Sequence, residues 1–384
     1  MTEIRNAHSS LLVFADDWGR HPSSCQHLVK HLLAKHPVFW VNTIGTRKPK
    51  FDLMTLKRGL GKFRQWLGRS ASEAKMLPKN LTLLSPKMWP AFSNRLDRWL
   101  NQKLLMRSLR RLVDSQSEPP IAITTLPIVA DLMELLHVKR WVYFCVDDFS
   151  KWPGLDGKTL GKLERIVVEK AERIICVSEH LQERLQKMGR ESHLLTHGVD
   201  LEFWQQKSDE DFPELTNLPR PLIVFWGVLD RRMDLNFVGQ LARDLQQGTI
   251  LLVGPENEPD PNLFALPRVR KLGAIPFSHL PALARQSDVL IMPYADLPVT
   301  RAMQPLKLKE YLATGKPCIV SDLPANREWA DCLDLASSPL QFSEQVRQRL
   351  TSGLPDSQRR ERERLQSESW SSKAGDFEKY ISHG

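Results

Sequence analysis

The sequence contains few cysteines and no long hydrophobic segment. Its five cysteines are scattered over 384 residues without a Cys-x-x-Cys pair, so we interpret them as reduced structural thiols. No apolar run approaches the roughly 18 residues that a membrane-spanning helix needs. The first ten residues lack the basic start and apolar stretch of a secretory signal. We therefore expect a cytoplasmic protein.

The net positive charge of the sequence indicates which classes of binding partner are expected. The net charge of +9 favours acidic ligands such as nucleotide phosphates or anionic lipid. No zinc-finger, RNP or helix-turn-helix signature is present, so a nucleic-acid partner is not predicted. A hydrophobic fraction of 41% and a charged fraction of 26% are typical of a globular protein, and the length suggests two domains.

Short apolar strands alternate with segments of helical periodicity, which is the pattern of parallel α/β units. In the first half the predicted strands are 10–15, 38–42, 121–125, 141–146 and 173–177. In the second half they are 221–226, 249–253, 269–272, 289–292 and 318–320. The sequence therefore predicts an α/β protein with two Rossmann-like domains, 1–204 and 221–368, joined by a polar linker at 205–220. Their parallel sheets should face a cleft, with ligands at the carboxyl ends of the strands.

Three stretches of the C-terminal half resemble glycosyltransferase family four. Residues 269–294 are similar to its strand–Gly–loop–helix–Asp–strand unit, and residues 304–324 (QPLKLKEYLATGKPCIVSDLP) to its signature helix. Residues 369–381 resemble its closing Ser-Trp helix, which in the glycosyltransferase-B fold crosses back to the first domain; we assign 369–384 to it. The Pro-x-Lys-x-x-Glu-Tyr-x-Ala pattern is similar to that of teichuronic acid and capsule enzymes. The resemblance implies an acceptor-binding first domain and a nucleotide-sugar-binding second domain.

The signature helix also has the physical features of a nucleotide site. Pro305 lies near its first turn, where a missing N–H costs little, and the N–H groups that begin a helix can hold a pyrophosphate. Glu310, one turn further along, would accept hydrogen bonds from ribose hydroxyls. The alternative for Glu310 is a solvated helix carboxylate.

The chain departs from the family pattern at the phosphate-binding positions. Ala302 stands where the family often has the first of two glutamates. Val228 and Asp234 occupy the usual cation positions of the loop after strand 221–226. We predict that other cations replace them. The predicted donor-site residues are Glu310, Lys307, Leu306, Arg232, Arg231, Arg301 and Ile275.

Two aspartates, Asp17 and Asp147, follow predicted strands of the first half. The resemblance implies a retaining transfer in which the donor diphosphate helps to deprotonate the acceptor, so these carboxylates would orient hydroxyls. They are our predicted catalytic residues, and turn or helix-cap roles are the alternative. For His197 an interdomain hydrogen bond is expected. No metal ligand set has zinc spacing, and the resemblance implies metal independence, so no metal and no cofactor is predicted.

The stretch 46–76 is strongly basic, with nine lysines and arginines against Asp52 and Glu73. Its apolar residues Leu53, Leu56, Leu60, Phe63 and Leu67 follow helical spacing. A basic amphipathic helix of this kind is typical of contact with an anionic membrane. A helix packed on its own domain, with a solvated basic face, is the alternative. With membrane contact, the protein would be cytoplasmic and peripheral on the inner face of the plasma membrane.

These features lead to a functional hypothesis. The chain should transfer a sugar from a nucleoside-diphosphate sugar to a glycan or lipid-linked acceptor in surface polysaccharide biosynthesis. One alternative is a nucleotide-sugar epimerase of the same fold. The other is a catalytically silent glycan-binding or partner subunit, which the departures at Ala302 and Val228 favour.

Overall fold

The computed structural model describes residues 9–19, 23–43, 77–152, 155–206 and 213–382. The predicted basic helix at 46–76 and residues 207–212 of the predicted linker lie outside these ranges. The chain divides into two compact units, Met1–Leu195 with Ala374–Gly384 and Thr196–Lys373. Residues 196–204, which the sequence pattern placed in the first domain, group with the second unit, as do residues 369–373.

The first unit contains a seven-stranded parallel sheet in the order β3-β2-β1-β4-β5-β6-β7. Its strands are β1 (Leu11–Ala15), β2 (Val38–Asn42), β3 (Leu81–Leu84), β4 (Ile121–Thr124), β5 (Arg140–Cys145), β6 (Arg173–Cys176) and β7 (His193–Leu194). Its helices are α1 (Ser24–Leu32), α2 (Arg95–Asp114), α3 (Gly157–Lys170) and α4 (Glu179–Lys187), with a 3-10 helix at Pro127–Leu132. The central strands β1 and β4 are buried along their whole length, as expected for a parallel sheet covered on both faces.

The second unit contains a six-stranded parallel sheet in the order β12-β10-β8-β13-β14-β15. Its strands are β8 (Leu222–Trp226), β10 (Thr249–Val253), β12 (Val269–Leu272), β13 (Val289–Met292), β14 (Cys318–Ser321) and β15 (Asp334–Ala336). A separate parallel pair joins β9 (Leu229–Asp230) to β11 (Glu256–Asn257). No helix among the described residues is both long and apolar enough to cross a membrane.

The remaining helices belong to the second unit, except for residues 374–382 of the last helix, which group with the first unit. They are α5 (Leu201–Gln205), α6 (Pro213–Thr216), α7 (Leu235–Asp244), α8 (Leu280–Gln286), α9 (Pro298–Ala302), α10 (Leu306–Ala313), α11 (Pro324–Arg327), α12 (Pro339–Ser352), α13 (Asp356–Glu361) and α14 (Trp370–Ser382). Short 3-10 helices lie at Pro261–Ala265, Phe277–His279 and Arg362–Glu368. The predicted signature helix corresponds to α10.

Two glycines bring the loops after β8 and β10 together. Gly227 and Gly254 have φ angles of +141° and +144°. Residues other than glycine rarely adopt this backbone conformation. A Cβ atom on Gly254 would lie only 2.0 Å from the carbonyl oxygen of Gly227. The loops therefore pack backbone against backbone at the carboxyl edge of the sheet.

All five cysteines are buried and unpaired, as the sequence predicts for structural thiols. Burial raises the pKa of the Cys318 thiol to about 11 and that of the Cys332 thiol to about 12. These two side chains therefore stay protonated near neutral pH and act as small hydrophobic groups.

A buried lysine anchors α10 within the second unit. The side chain of Lys309 is 3% exposed and donates to the carbonyl of His197 (2.6 Å), the hydroxyl of Thr196 (3.2 Å) and the carboxylate of Glu368 (2.5 Å). Lys373 also pairs with Glu368, at 2.8 Å. Burial lowers the pKa of Lys309, and the two ammonium groups hold the pKa of Glu368 below its usual value despite its own burial. The network thus ties α10 to two distant segments.

We expect Lys309→Met to lower the free energy of unfolding by about 3 kcal/mol, because it leaves Glu368 and the His197 carbonyl without their buried partner. The matched control is Lys271→Met, which removes an exposed ion pair to Glu256 (2.8 Å) and should cost at most about 1 kcal/mol. Urea unfolding of both variants measures the difference. Equal losses would contradict a structural role for the Lys309 network.

Candidate functional site

The candidate site lies around the start of α10, at the carboxyl edge of the second sheet. Pro305 occupies the position before the helix, with an extended backbone conformation, and Leu306 is the first helical residue. The first N–H groups of a helix have no partner within it, so this end of α10 favours an anion. The helix ends before Gly315, whose φ of +73° is typical of a residue that follows a helix C-terminus.

Glu310 is a buried carboxyl on this helix, only 8% exposed. Burial raises its pKa to about 7, and the nearby Lys307 ammonium and Trp226 side chain oppose part of the rise. Its charged form is therefore less favourable in the folded protein than in water, which costs stability. Carboxyl groups with such a perturbed pKa are concentrated at functional sites.

Lys307 lies one helical turn before Glu310. Its ammonium donates to the hydroxyl of Tyr294 at 2.6 Å and lies 4.3 Å from the ring centroid of Phe225. A Cβ atom on Gly227 would lie 2.1 Å from this ammonium, so a larger residue there would displace the end of the lysine side chain. Among the described residues Lys307 forms no ion pair, so its charge is available to an anionic ligand.

The other three predicted phosphate-binding cations already have carboxylate partners. Arg232 forms a bidentate pair with Asp230, at 3.0 Å and 2.8 Å. Arg231 and Arg301 are exposed and lie 3.7 Å from Glu258 and 2.5 Å from Asp296, respectively. Their phosphate roles stay predictions, and Lys307 is the best placed of the four.

The structure explains one departure from the family pattern. Asp234 is the N-cap of α7, and its carboxylate accepts hydrogen bonds from the backbone N–H groups of Asn236 (2.8 Å) and Phe237 (3.3 Å). An acidic side chain at this position stabilises the start of a helix, which a cation would not. The other two predicted donor-site residues, Leu306 and Ile275, are half-buried, and Ile275 packs against the hydrophobic core of the unit.

In the first unit, Asp17 and Asp147 follow β1 and β5 at the carboxyl edge of the sheet and are half-buried. Because β4 separates these strands, their ends lie about 10 Å apart. The neighbouring Asp148 is buried, accepts from Ser150 N (3.1 Å) and pairs with Arg184 (3.2 Å). Asp148 therefore holds the loop, while Asp147 is the more accessible carboxylate.

A buried ion pair between Glu164 and Arg184 stabilises the loop that carries Asp147. Glu164 is 1% exposed and accepts from the hydroxyl of Tyr143 (2.9 Å) and the guanidinium of Arg184 (2.9 Å). Because Arg184 also pairs with Asp148, the network joins α3 and α4 to the end of β5. The sequence pattern did not indicate it, since its members lie on separate elements.

Tyr294 is a site residue that the sequence reasoning missed. It lies just after β13, 13 residues before its partner Lys307, so no local spacing links the two.

His197 is buried, and its Nε2 lies 3.1 Å from the carbonyl oxygen of Gln304. His197 and Gln304 both belong to the second unit. Within the described ranges no three His, Cys, Asp or Glu side chains group as metal ligands would.

Comparison with known sequences finds a family match within the second unit. Residues 220–351 match the family described as Glycosyl transferases group 1. Over 177 residues the chain is 30% identical to a Bacillus subtilis (strain 168) protein, TuaH, which is named as a teichuronic acid biosynthesis glycosyltransferase. The match covers 44% of this chain and 45% of that protein, so the aligned region spans about half the length of the curated relative.

Comparison with solved structures covers nearly the whole chain and shows the fold. Sucrose-phosphate synthase from Thermosynechococcus elongatus has a TM-score of 0.70 at 16% identity, covering 96% of this chain and 97% of that one. Anabaena HepE in complex with UDP and glucose has a TM-score of 0.66 at 12% identity, covering 98% and 100%. The predicted α/β class with two Rossmann-like units is confirmed. The chain therefore shares the glycosyltransferase-B fold of these structures, and its residues 220–351 match the group 1 glycosyl transferases.

Proposed function

We propose that the protein is a glycosyltransferase whose nucleoside-diphosphate sugar donor binds at the start of α10. The observation that carries the proposal is the placement of Lys307 and Glu310. An ammonium that forms no ion pair among the described residues and a buried carboxyl lie three residues apart. Side chains at this spacing are about 5–6 Å apart at Cβ, which suits the adjacent diphosphate and ribose of one nucleotide.

Each group has a distinct chemical task in this proposal. The Lys307 ammonium and the first N–H groups of α10 would neutralise the diphosphate. The Glu310 carboxylate would accept hydrogen bonds from the ribose hydroxyls. The glycine loops after β8 and β10 would let the main chain approach the phosphates, since neither loop carries a Cβ atom at the contact. The HepE structures, described as complexes with UDP and with UDP-glucose, support this class of donor.

The proposed reaction is transfer with retention at the anomeric carbon. The acceptor oxygen forms a bond to that carbon while the bond from carbon to the diphosphate oxygen breaks, and the acceptor proton passes to the departing diphosphate. Lys307 would stabilise the negative charge that develops on the leaving group. Asp17 and Asp147 would orient hydroxyl groups rather than act as strong bases.

For the acceptor we propose a glycan or a lipid-linked glycan of the cell surface. The match to TuaH, named for teichuronic acid biosynthesis, supports this choice. The two alternatives from the sequence remain distinguishable by experiment. An epimerase would convert the donor without any acceptor, and a silent partner subunit would bind donor without transfer or hydrolysis.

Glu310→Gln should weaken binding of the best-bound nucleotide sugar by about 1.5–3 kcal/mol, because an amide replaces a charged acceptor. Since the pKa of Glu310 is about 7, the carboxylate becomes protonated as pH falls below that value. Affinity of the native protein should therefore decrease between pH 8 and pH 6, while that of the variant stays flat. Calorimetric titration at both pH values measures this. Native affinity that ignores pH and an unaffected variant would remove Glu310 from the site.

Lys307→Gln should weaken nucleoside-diphosphate binding about 10-fold or more, because a charge-assisted contact to phosphate is lost. Binding of the free nucleoside should change little. Arg301→Gln, which removes a cation already neutralised by Asp296, should have a smaller effect on the diphosphate. A ligand panel titrated against both variants tests the ranking. A larger effect from Arg301→Gln would contradict our choice of Lys307.

Asp147→Asn should reduce transfer on the order of 100-fold through misorientation while leaving donor affinity unchanged. The neighbouring variant Asp148→Asn provides the contrast: it should mainly lower the melting temperature, because Asp148 is buried and paired with Arg184. Steady-state kinetics and thermal unfolding of both variants separate these roles. A fully active Asp147→Asn protein would assign Asp147 to the turn alone.

A further inference from the structure

The longest described helix of the first unit, α2, has an unusual outward face. It buries Asn101, Leu105, Leu109 and Val113. The opposite side, which helical spacing places together, is exposed. We call this surface the α2 outer face and define it by residues Leu96, Trp99, Lys103, Arg107 and Arg110.

Large apolar side chains are exposed around the first turns of α2. The exposed fractions of Leu96, Trp99 and Trp89 are 71%, 53% and 46%. Trp89 flanks the outer face, since its indole N–H donates to Asp97 at 2.9 Å and its main-chain N–H to the buried Asn101 at 2.7 Å. Leu96 and Trp99 are three residues apart and are neighbours on the helix surface. Exposed apolar groups that cluster in this way mark a contact surface.

Positive charge continues the α2 outer face toward the C-terminal end of the helix. The helix carries six basic residues and only two acidic ones, Asp97 and Asp114. Asp97 is engaged by Trp89, and Asp114 lies 3.5 Å from Arg110 in the last turn. Lys103 and Arg107 form no ion pair among the described residues. The surface therefore combines tryptophan and leucine at one end with Lys103, Arg107 and the Asp114-paired Arg110 along the rest.

We propose that the α2 outer face binds an anionic lipid bilayer. A helix of 20 residues is about 30 Å long, so it could lie along the plane of a bilayer over that length. Tryptophan rings favour the headgroup depth of a bilayer, and Lys103, Arg107 and Arg110 would reach lipid phosphates. A protein-binding face would instead be depleted of charge at its core. This surface is distinct from the basic stretch 46–76, and its lipid binding needs no nucleotide donor.

Flotation of the full chain with lipid vesicles tests this proposal. The native protein should float with phosphatidylglycerol-containing vesicles but not with pure phosphatidylcholine vesicles, and salt should weaken the binding. The triple variant Lys103→Gln, Arg107→Gln, Arg110→Gln should bind about 100-fold more weakly, because each basic residue contributes roughly fivefold. The double variant Leu96→Ser, Trp99→Ser should also lose binding. All these side chains are exposed, so thermal unfolding should be unchanged.

The first unit itself supplies a matched control. Lys158, Lys162 and Arg165 form an exposed basic stripe on α3, and none of the exposed large hydrophobic residues lies on that helix. The triple variant Lys158→Gln, Lys162→Gln, Arg165→Gln removes the same charge and should still float. Failure of the native protein to float, or equal weakening by the two triple variants, would overturn the proposal. Retained flotation of the α2 variants would assign lipid binding to another surface and overturn it as well.

Discussion

The structure of the second unit depends on the cost of placing polar groups on a helix that enters the domain core. From Leu308 to Ala313, every residue of α10 is buried, including a lysine, a glutamate and a tyrosine. Buried polar groups must find partners or lose stability. Lys309 has three acceptors, and the hydroxyl of Tyr311 accepts from the N–H of Trp226 at 3.0 Å. Glu310 is the exception, since the fold raises its pKa rather than stabilising its charge. That difference separates the structural face of α10 from the face left for a ligand.

Much of the fold could be predicted because strands buried on both faces appear as continuous apolar runs. Runs such as 221–226 and 249–253 correspond to β8 and β10 within a residue. The short strands β3, β7, β9, β11 and β15 were missed, since they are two to four residues long and only partly apolar. Helix α2 was missed too, because its buried stripe has four residues among many charged ones.

The site could be predicted only in part, because net charge does not say which cations are available. Arg232 was a reasonable candidate, but the carboxylate of Asp230, two residues earlier, accepts from its Nε and Nη2, which only side-chain conformation reveals. Elsewhere, Arg362 is buried and donates to the carbonyls of Leu312, Lys316 and Cys332, so its charge stabilises the C-terminal end of α10. The cations of the described residues therefore have different roles: Arg232 is paired with Asp230, Lys307 lies at the candidate site, and Lys103 and Arg107 are exposed on α2.

The most direct test of the account is a crystal structure of the protein with a bound nucleoside diphosphate. The account predicts a phosphate oxygen about 3 Å from the Lys307 ammonium, with the ribose hydroxyls on the Glu310 carboxylate and the glycine loop at Gly227 against the diphosphate. A nucleotide bound elsewhere, or one in this region whose phosphates contact Arg231 or Arg301 and leave Lys307 on Tyr294 alone, would contradict it.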